Sequence, residues 1–410
     1  MALEKLHSTV CIIGAGPAGA STSIFLSKLG IEHIIIDGAT FPRDKVCGDG
    51  LDMKSIRMLN HIDPNIIPNE IMPNPNFTPS WGMRYITTNG KNIDFAYKPP
   101  AGKENECPFF ITKRFYFDNF LIQKINSATA LFRQGTIVKT IAKEGADWKI
   151  IATSSTGEVE ITCQMLVGAD GDHSTLLRYL GDRKINREHY ASSVRQYWKN
   201  VAGTHPDNLL EFYYAPNIPM GYFWIFPLGN GEANVGYGIT SSIASKQHLN
   251  VRNTFAELIE KDPALSHRFK YATPIAPVEG WGIPLASLKR KVVGDGWLLV
   301  GDAASMVSPN TGEGIGTGMM TGYIAAKFID KGIKAKSFSE GTLANYSREV
   351  FKRMEQEIKS YEFNLRHPGI TNTFMGFFVR DNFICRIGFN YIMKGWLKTA
   401  YQKEVTVNLD

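Results

Sequence analysis

Residues 8–19 read STVCIIGAGPAG, and the fold follows from this stretch. Ser8 to Gly14 is apolar and β-branched, the pattern of a strand buried on both faces in a parallel sheet. Gly14, Gly16 and Gly19 stand at G-x-G-x-x-G spacing. A helical pattern follows from Pro17 to Leu29, and a second apolar strand, His33 to Ile36, ends in Asp37. Each part has a job in holding a dinucleotide. Gly14 makes the tight turn, Gly16 lets backbone approach a pyrophosphate, and Gly19 lets helix pack on strand. The helix N-terminus offers free N–H groups and partial positive charge to phosphates. Asp37 lies 23 residues beyond Gly14, where an acidic side chain takes ribose hydroxyls. Together these predict an α/β, Rossmann-like cofactor domain.

The glycine motif alone does not separate FAD from NAD. Two later segments do. Val167 to Arg178 reads VGADGDHSTLLR, with Asp170 and Gly171 after a strand. Trp297 to Gly316 reads WLLVGDAASMVSPNTGEGIG. Here an apolar strand delivers Asp302, placed to accept from ribityl hydroxyls, and a Gly-rich turn delivers Gly314 and Ile315 to a helix start. That helix, Ile315 to about Lys331, would aim its positive end at the ligand, which suits an anionic reduced flavin. Further along, Gly221 to Ile239 reads GYFWIFPLGNGEANVGYGI. Tyr222, Trp224 and Phe226 alternate, so their rings share one strand face. Pro227 should end the strand, and Gly236 and Gly238 mark close backbone approach. This is a wall of rings for a flat or greasy ligand.

The three cofactor segments resemble the FAD-binding signatures of the hydroxybenzoate-hydroxylase-like flavoprotein superfamily. Within it, Phe41 to Leu51, FPRDKVCGDGL, resembles the P-x-x-x-x-C-G element of geranylgeranyl (prenyl) reductases. The aromatic stretch resembles that family's Y-x-W-x-F-P element with its trailing G-x-G. The resemblance implies FAD contacts at Ala18, Asp37, Cys47, Gly48, Gly50, Arg114, Val138, Asp302, Gly314 and Ile315, with Arg114 pairing a phosphate through its planar fork. It implies catalytic or substrate roles for Cys47, Tyr222 and Trp224. It implies an FAD-dependent reductase acting on a prenylated lipid or quinone: archaeal-type lipids, chlorophyll side chains or menaquinone tails. Two departures stand out: Asp37 replaces the more usual Glu, and the loop reads TGEGIG where archaeal relatives tend toward a double Gly.

There is no second dinucleotide fold, so NAD(P)H or a reduced electron-carrier protein must visit the flavin. Simple alkenes resist hydride attack, so a proton must accompany it, and Cys47 or a water would supply it. Arg43 and Lys45 flank Cys47 and are expected to lower its pKa. Flavin monooxygenases and halogenases are the rival on this fold, because halogenases show a similar W-x-W-x-I-P element. Tyr222 and Phe226 in place of the outer Trp and the Ile, and Cys47 in the loop, speak against it. A non-catalytic flavin redox sensor that docks on membranes is the second rival.

With 410 residues, the chain can hold two domains around a large core. A discontinuous FAD domain is expected at 1–75, 106–185 and 286–335, including a β-meander from Ala130 to Leu166. A substrate domain is expected at 76–105 and 186–285, with a hairpin turning at Asn89-Gly90 and one helix from Ile243 to Glu260. A helical C-terminal region would follow at 338–410. Five scattered cysteines without C-x-x-C spacing point to reduced thiols, a cytoplasmic setting and no metal site. The N-terminus enters the first strand almost at once, so no signal peptide is expected. A net charge of +6 is too mild and dispersed to imply nucleic acid. Residues 374–401 mix apolar side chains, from Phe374 to Leu397, with Arg380, Arg386, Lys394 and Lys398. That pattern fits helices lying on the cytoplasmic membrane surface or packing on the protein.

Overall fold

The computed structural model describes residues 3–215, 220–367, 383–402 and 406–409. Its first sheet is built around the strand that opens the chain. Glu4–Ile13 pairs in parallel with Gly157–Gly168 on one side and His33–Ile36 on the other. Trp297–Leu299 and Ala130–Arg133 extend the parallel sheet at its two flanks. Val10, Cys11 and Ile12 are wholly buried, as expected when both sheet faces are covered. The Pro17–Lys28 helix packs against the long Ile315–Lys334 helix. Their approach is close because Gly322 has no side chain: a Cβ there would lie 2.5 Å from the Ala18 carbonyl.

The expected meander is shorter than the sequence suggests. Ala130–Arg133 joins the parallel sheet beside His33–Ile36, and only Ile137–Glu144, Asp147–Ser154 and Gly157–Gly168 run as antiparallel neighbours. The last of these strands is long enough to serve both arrangements. Its first half pairs with the hairpin and its end pairs with Trp297–Leu299.

A second, mostly antiparallel sheet carries the aromatic stretch. Gly221–Gly229 lies between Leu210–Tyr213 and Glu232–Thr240, and the latter pairs with Tyr190–Lys199. The Gly82–Ile86 and Asn92–Ala96 hairpin joins beyond Leu210–Tyr213 through a parallel pairing. Its turn holds Gly90 at φ +78°. The Gly221–Gly229 strand is apolar on both faces. Phe223 and Ile225 pack with Phe255, Leu258 and Phe269, while Trp224 and Phe226 face the first domain. Each such ring contributes roughly 1.5–3 kcal/mol by leaving water.

Two sequence expectations fail here for local reasons. Pro227 lies within the strand rather than ending it, at a register shift between Pro227 and Gly229. It falls past the end of the Leu210–Tyr213 neighbour, so no ladder bond is asked of it there. The single helix expected from Ile243 to Glu260 is two, Ser241–Lys246 and Val251–Lys261. His248 takes φ +53° between them, and Asn250 caps the second by accepting from the Arg252 and Asn253 amides at 3.1 Å.

The C-terminal helix, Phe383–Gln402, packs on Met53–Ile62. Met393, Leu397 and Ala400 are buried while Lys394 and Lys398 are exposed, the spacing of one apolar face turned to the protein. Residues 374–380 of the expected membrane face, and the side chains of Phe383, Ile384, Arg386, Ile387, Phe389, Ile392 and Trp396, lie outside the described residues. No described helix is long and apolar enough to cross a membrane.

Candidate active site

Apart from Gly19 and Gly236, which pack behind its wall, the sequence-predicted residues line one cavity of about 1990 Å³ between the two sheets. That is roughly twice the upper size usual for a small-molecule site. Its cofactor end is built by the first turn. Gly14 takes φ +100°, and its amide donates to the Ile36 carbonyl at 2.8 Å. A Cβ on Gly19 would sit 1.9 Å from the Gly14 carbonyl oxygen, so only glycine lets this helix start against this strand. Gly16 caps the helix in extended backbone with no side-chain cap, leaving amide donors for a phosphate. Asp37 is partly used by the turn itself: its two oxygens accept from the Ala15 and Ala39 amides at 2.7 and 2.8 Å.

The other predicted cofactor residues converge on the same space. Val138, Asp170, Asp302, Gly314 and Ile315 line the cavity, as do Cys47, Gly48 and Gly50. Asp170 accepts from the Thr175 amide at 2.6 Å through one oxygen, and its other oxygen is buried without a protein partner. A buried acceptor of this kind suits a ligand hydroxyl. Gly314 caps the Ile315–Lys334 helix without a side-chain cap. Glu313 takes the Gly316 amide, so part of that helix end is already satisfied. Glycine cradle, orphaned acceptor and two helix starts together fit a dinucleotide.

Arg114 lines the cavity, with the Nε and Nη2 edge of its fork gripping Asp118 through two bonds of 2.6 and 2.8 Å. Cys47 differs from its sequence expectation. Burial pushes its thiol up, outweighing the pull of Arg114 and Lys45. Arg43, expected to help, is drawn off to Asp118 at 2.6 Å. Cys47 is half-buried, opens on the cavity, and holds its proton. Lys45 is held down to about 8, chiefly by burial and then by Arg114, against the opposing pull of Asp302 and Cys47. Its ammonium lies 3.3 Å from the centre of the Trp281 ring.

The aromatic wall meets the cofactor loop directly. A side chain on Gly48 or Gly50 would touch Phe226 at 3.5 or 3.4 Å. Tyr222, Trp224 and Phe226 form one rank, and Phe212 sits beside it, 5.6 Å from Tyr222 and 5.3 Å from Phe226. Tyr85 of the hairpin continues the row, 6.0 Å from Phe212. The strand spacing makes this a floor on the order of 14 Å across. Tyr222 donates to the Thr311 carbonyl at 2.5 Å, tying the floor to the loop before the long helix.

Beside the rings lies a trough. Gly236 is cross-strand from Trp224, and a Cβ there would come within 2.1 Å of the indole. The close approach expected at this glycine is therefore by the Trp224 ring. Gly238, opposite Tyr222, has more room, with Trp224 and Ser193 at 3.6–3.7 Å from an added Cβ.

Sequence reasoning missed the polar side of this floor. Asn234 lies opposite Phe226 and Tyr197. The indole of Trp224 donates to its Oδ1 at 3.0 Å, and its Nδ2 donates to the Cys47 carbonyl and the Asp49 carboxylate, both at 2.8 Å. Tyr197 donates to the same carboxylate at 2.7 Å, and Arg195 grips Asp44 at 2.7 Å. The available signal was a lone Asn in phase with Gly236 and Gly238. Glu313 was missed as well. Burial, with Asp52 and Glu357 nearby, pushes its carboxyl up to about 8.

That shift has a measurable sign. A carboxyl raised from 4.5 in the unfolded chain to about 8 in the fold adds stability below pH 4.5, and loses it as pH rises through 8. Apoprotein melting temperature should fall between pH 5 and 8, and Glu313→Gln should flatten that slope. Scanning calorimetry across that range checks it.

A profile of the FAD binding domain family matches residues 7–359. The chain belongs to that family. A digeranylgeranylglycerophospholipid reductase of Methanococcus vannielii is 29% identical over 84% of this chain and 82% of its own length. A menaquinone reductase of Mycobacterium tuberculosis is 29% identical over 78% and 76%. Among solved structures, a geranylgeranyl bacteriochlorophyll reductase-like protein of Thermoplasma acidophilum superposes with TM-score 0.79. It is 22% identical and covers 96% of this chain and 98% of its own. A flavin-dependent brominase shares the fold at TM-score 0.73 and 20% identity, over 96% and 98%.

Proposed function

We propose that this protein is an FAD-dependent reductase that saturates carbon–carbon double bonds in a prenyl chain carried by a lipid or quinone. The observation that carries the reading is a single cavity joining a dinucleotide cradle to an aromatic, apolar floor. The relatives named as prenyl-lipid and menaquinone reductases support it. Bound and reduced, FAD supplies the hydride. The chain supplies the rest. An isolated alkene has no polar handle, so Trp224, Phe226, Phe212 and Tyr85 orient it by shape and exclude water. Cys47 holds a proton at Sγ on the same cavity, poised for transfer to the alkene carbon that does not receive hydride. NAD(P)H or a reduced protein carrier restores the reduced flavin. A bilayer-borne substrate requires a meeting with the membrane surface, and the exposed Lys394 and Lys398 favour an anionic one.

The test is anaerobic turnover of a geranylgeranyl lipid and of a menaquinone with chemically reduced enzyme. Product gaining about two mass units per reduced bond, from the added hydride and proton, supports the proposal. Oxygenated or halogenated product under air would assign the protein to the rival chemistry. Cys47→Ala should retain FAD and lose at least about tenfold in kcat, the low end for general-acid loss. Unchanged kcat would remove Cys47 from the proton path.

A further inference from the structure

We propose that Asn234 is a positioning residue that locks the Cys47–Asp49 loop to Trp224, so that cofactor loop and substrate floor form one unit. This rests on the cavity being the meeting place of flavin and substrate. Asn234 and Asp49 are both fully buried. Asn234 has its orientation fixed by chemistry: an indole N–H can only donate, so the amide oxygen must face Trp224. Both amide hydrogens are then aimed at the loop, one at the Cys47 carbonyl and one at Asp49. No other common side chain of this size accepts from one partner and donates to two.

Asp49 takes φ +65° and receives three donors: Tyr197, Asn234 and the Arg114 amide at 3.3 Å. The titratable groups facing it are Asp44 and the protonated Cys47 of its own loop, and Tyr197 and Arg195 of the neighbouring strand. Lys113 lies over the Tyr197 ring at 4.8 Å and is paired with Glu232. The lock therefore depends on a carboxylate facing an amide. Reversing the amide's donors should break it in a pH-dependent way.

Asn234→Asp places two carboxyls at hydrogen-bond distance, and such a pair shares one proton. While the proton is held, the pair keeps the bond to Asp49, although the acid has no second hydrogen for the Cys47 carbonyl. Once it leaves, two anions repel and the loop is driven off Trp224. The experiment measures FAD affinity of the apoprotein by fluorescence quenching, without substrate, from pH 6.5 to 8.5. Failure of prenyl reduction thus leaves this test intact. The expected result is a variant-to-wild-type ratio of dissociation constants of about five at pH 6.5, the loss of the single bond to the Cys47 carbonyl. It should then rise by on the order of tenfold per pH unit once the shared proton dissociates. The double variant Asp49→Asn, Asn234→Asp restores an amide facing a carboxylate but not the donor to the Cys47 carbonyl, so its ratio should stay flat with pH at a constant value above one. A flat ratio for N234D alone, or the same rise in the double variant, overturns the proposal. Should N234D fail to fold at every pH, the double variant decides: recovery of bound FAD supports the lock, and its absence overturns it.

Discussion

Gly236→Val should give a yellow, folded protein that turns over prenyl substrate at least about a hundredfold more slowly, a loss of roughly 2.7 kcal/mol in transition-state stabilisation. The first atom of the new side chain would stand 2.1 Å from the Trp224 indole, so the ring must leave the trough. Trp224 also donates to Asn234, and a displaced ring abandons that bond, leaving a buried acceptor short of a partner at about 1–3 kcal/mol. The cofactor cradle at Gly14 and Gly19 lies on the other sheet and is untouched, and Asn234 keeps its two bonds to the Cys47–Asp49 loop. FAD content by absorbance, set beside steady-state kinetics, separates the two. A variant that keeps full turnover would mean the floor does not orient substrate.

Gly19→Val should have the opposite signature, a colourless protein. A Cβ at 1.9 Å from the Gly14 carbonyl oxygen cannot be accommodated by a rotamer change, since the backbone fixes the positions of both atoms. The Pro17–Lys28 helix must tilt away, taking the Gly16 amides with it. FAD affinity should fall by at least about a thousandfold, the order of 4 kcal/mol expected when a preorganised anion site is dismantled. Loss of helix packing should lower the melting temperature as well, so circular dichroism accompanies the flavin titration. Retention of stoichiometric FAD would place the dinucleotide elsewhere.

The two variants mark what the sequence could and could not disclose. The cofactor cradle was legible because its parts are local. Ser8 to Asp37 contains strand, turn, helix and acid in one run, and each residue's task follows from backbone geometry. The aromatic rank was legible for the same reason, since alternation in one strand needs no partner. The lock between them was not. Asn234 meets Cys47 and Asp49 across 187 and 185 residues of chain, and nothing in the local pattern joins them. Cys47 was misjudged because Arg43 and Lys45 were counted as free charges. Arg43 is engaged by Asp118, and the cost of burial exceeds what the remaining cations return. Arg114 likewise has one edge of its fork taken by a residue one turn away, a pairing the sequence reading did not count.

The hairpin at the far side of the floor has a consequence of its own. Arg84 grips Asp94 within the hairpin at 2.6 Å and reaches the wholly buried Glu211 of the next strand at 3.4 Å. Arg268 holds the same glutamate from below at 2.5 Å. A slip of one residue would swing Arg84 into the hydrocarbon side and Tyr85 into the ion cluster, which neither environment tolerates. The hairpin's register on its neighbour is thus pegged by charge, so the ring that Tyr85 adds to the floor is held at a set place rather than an elastic one.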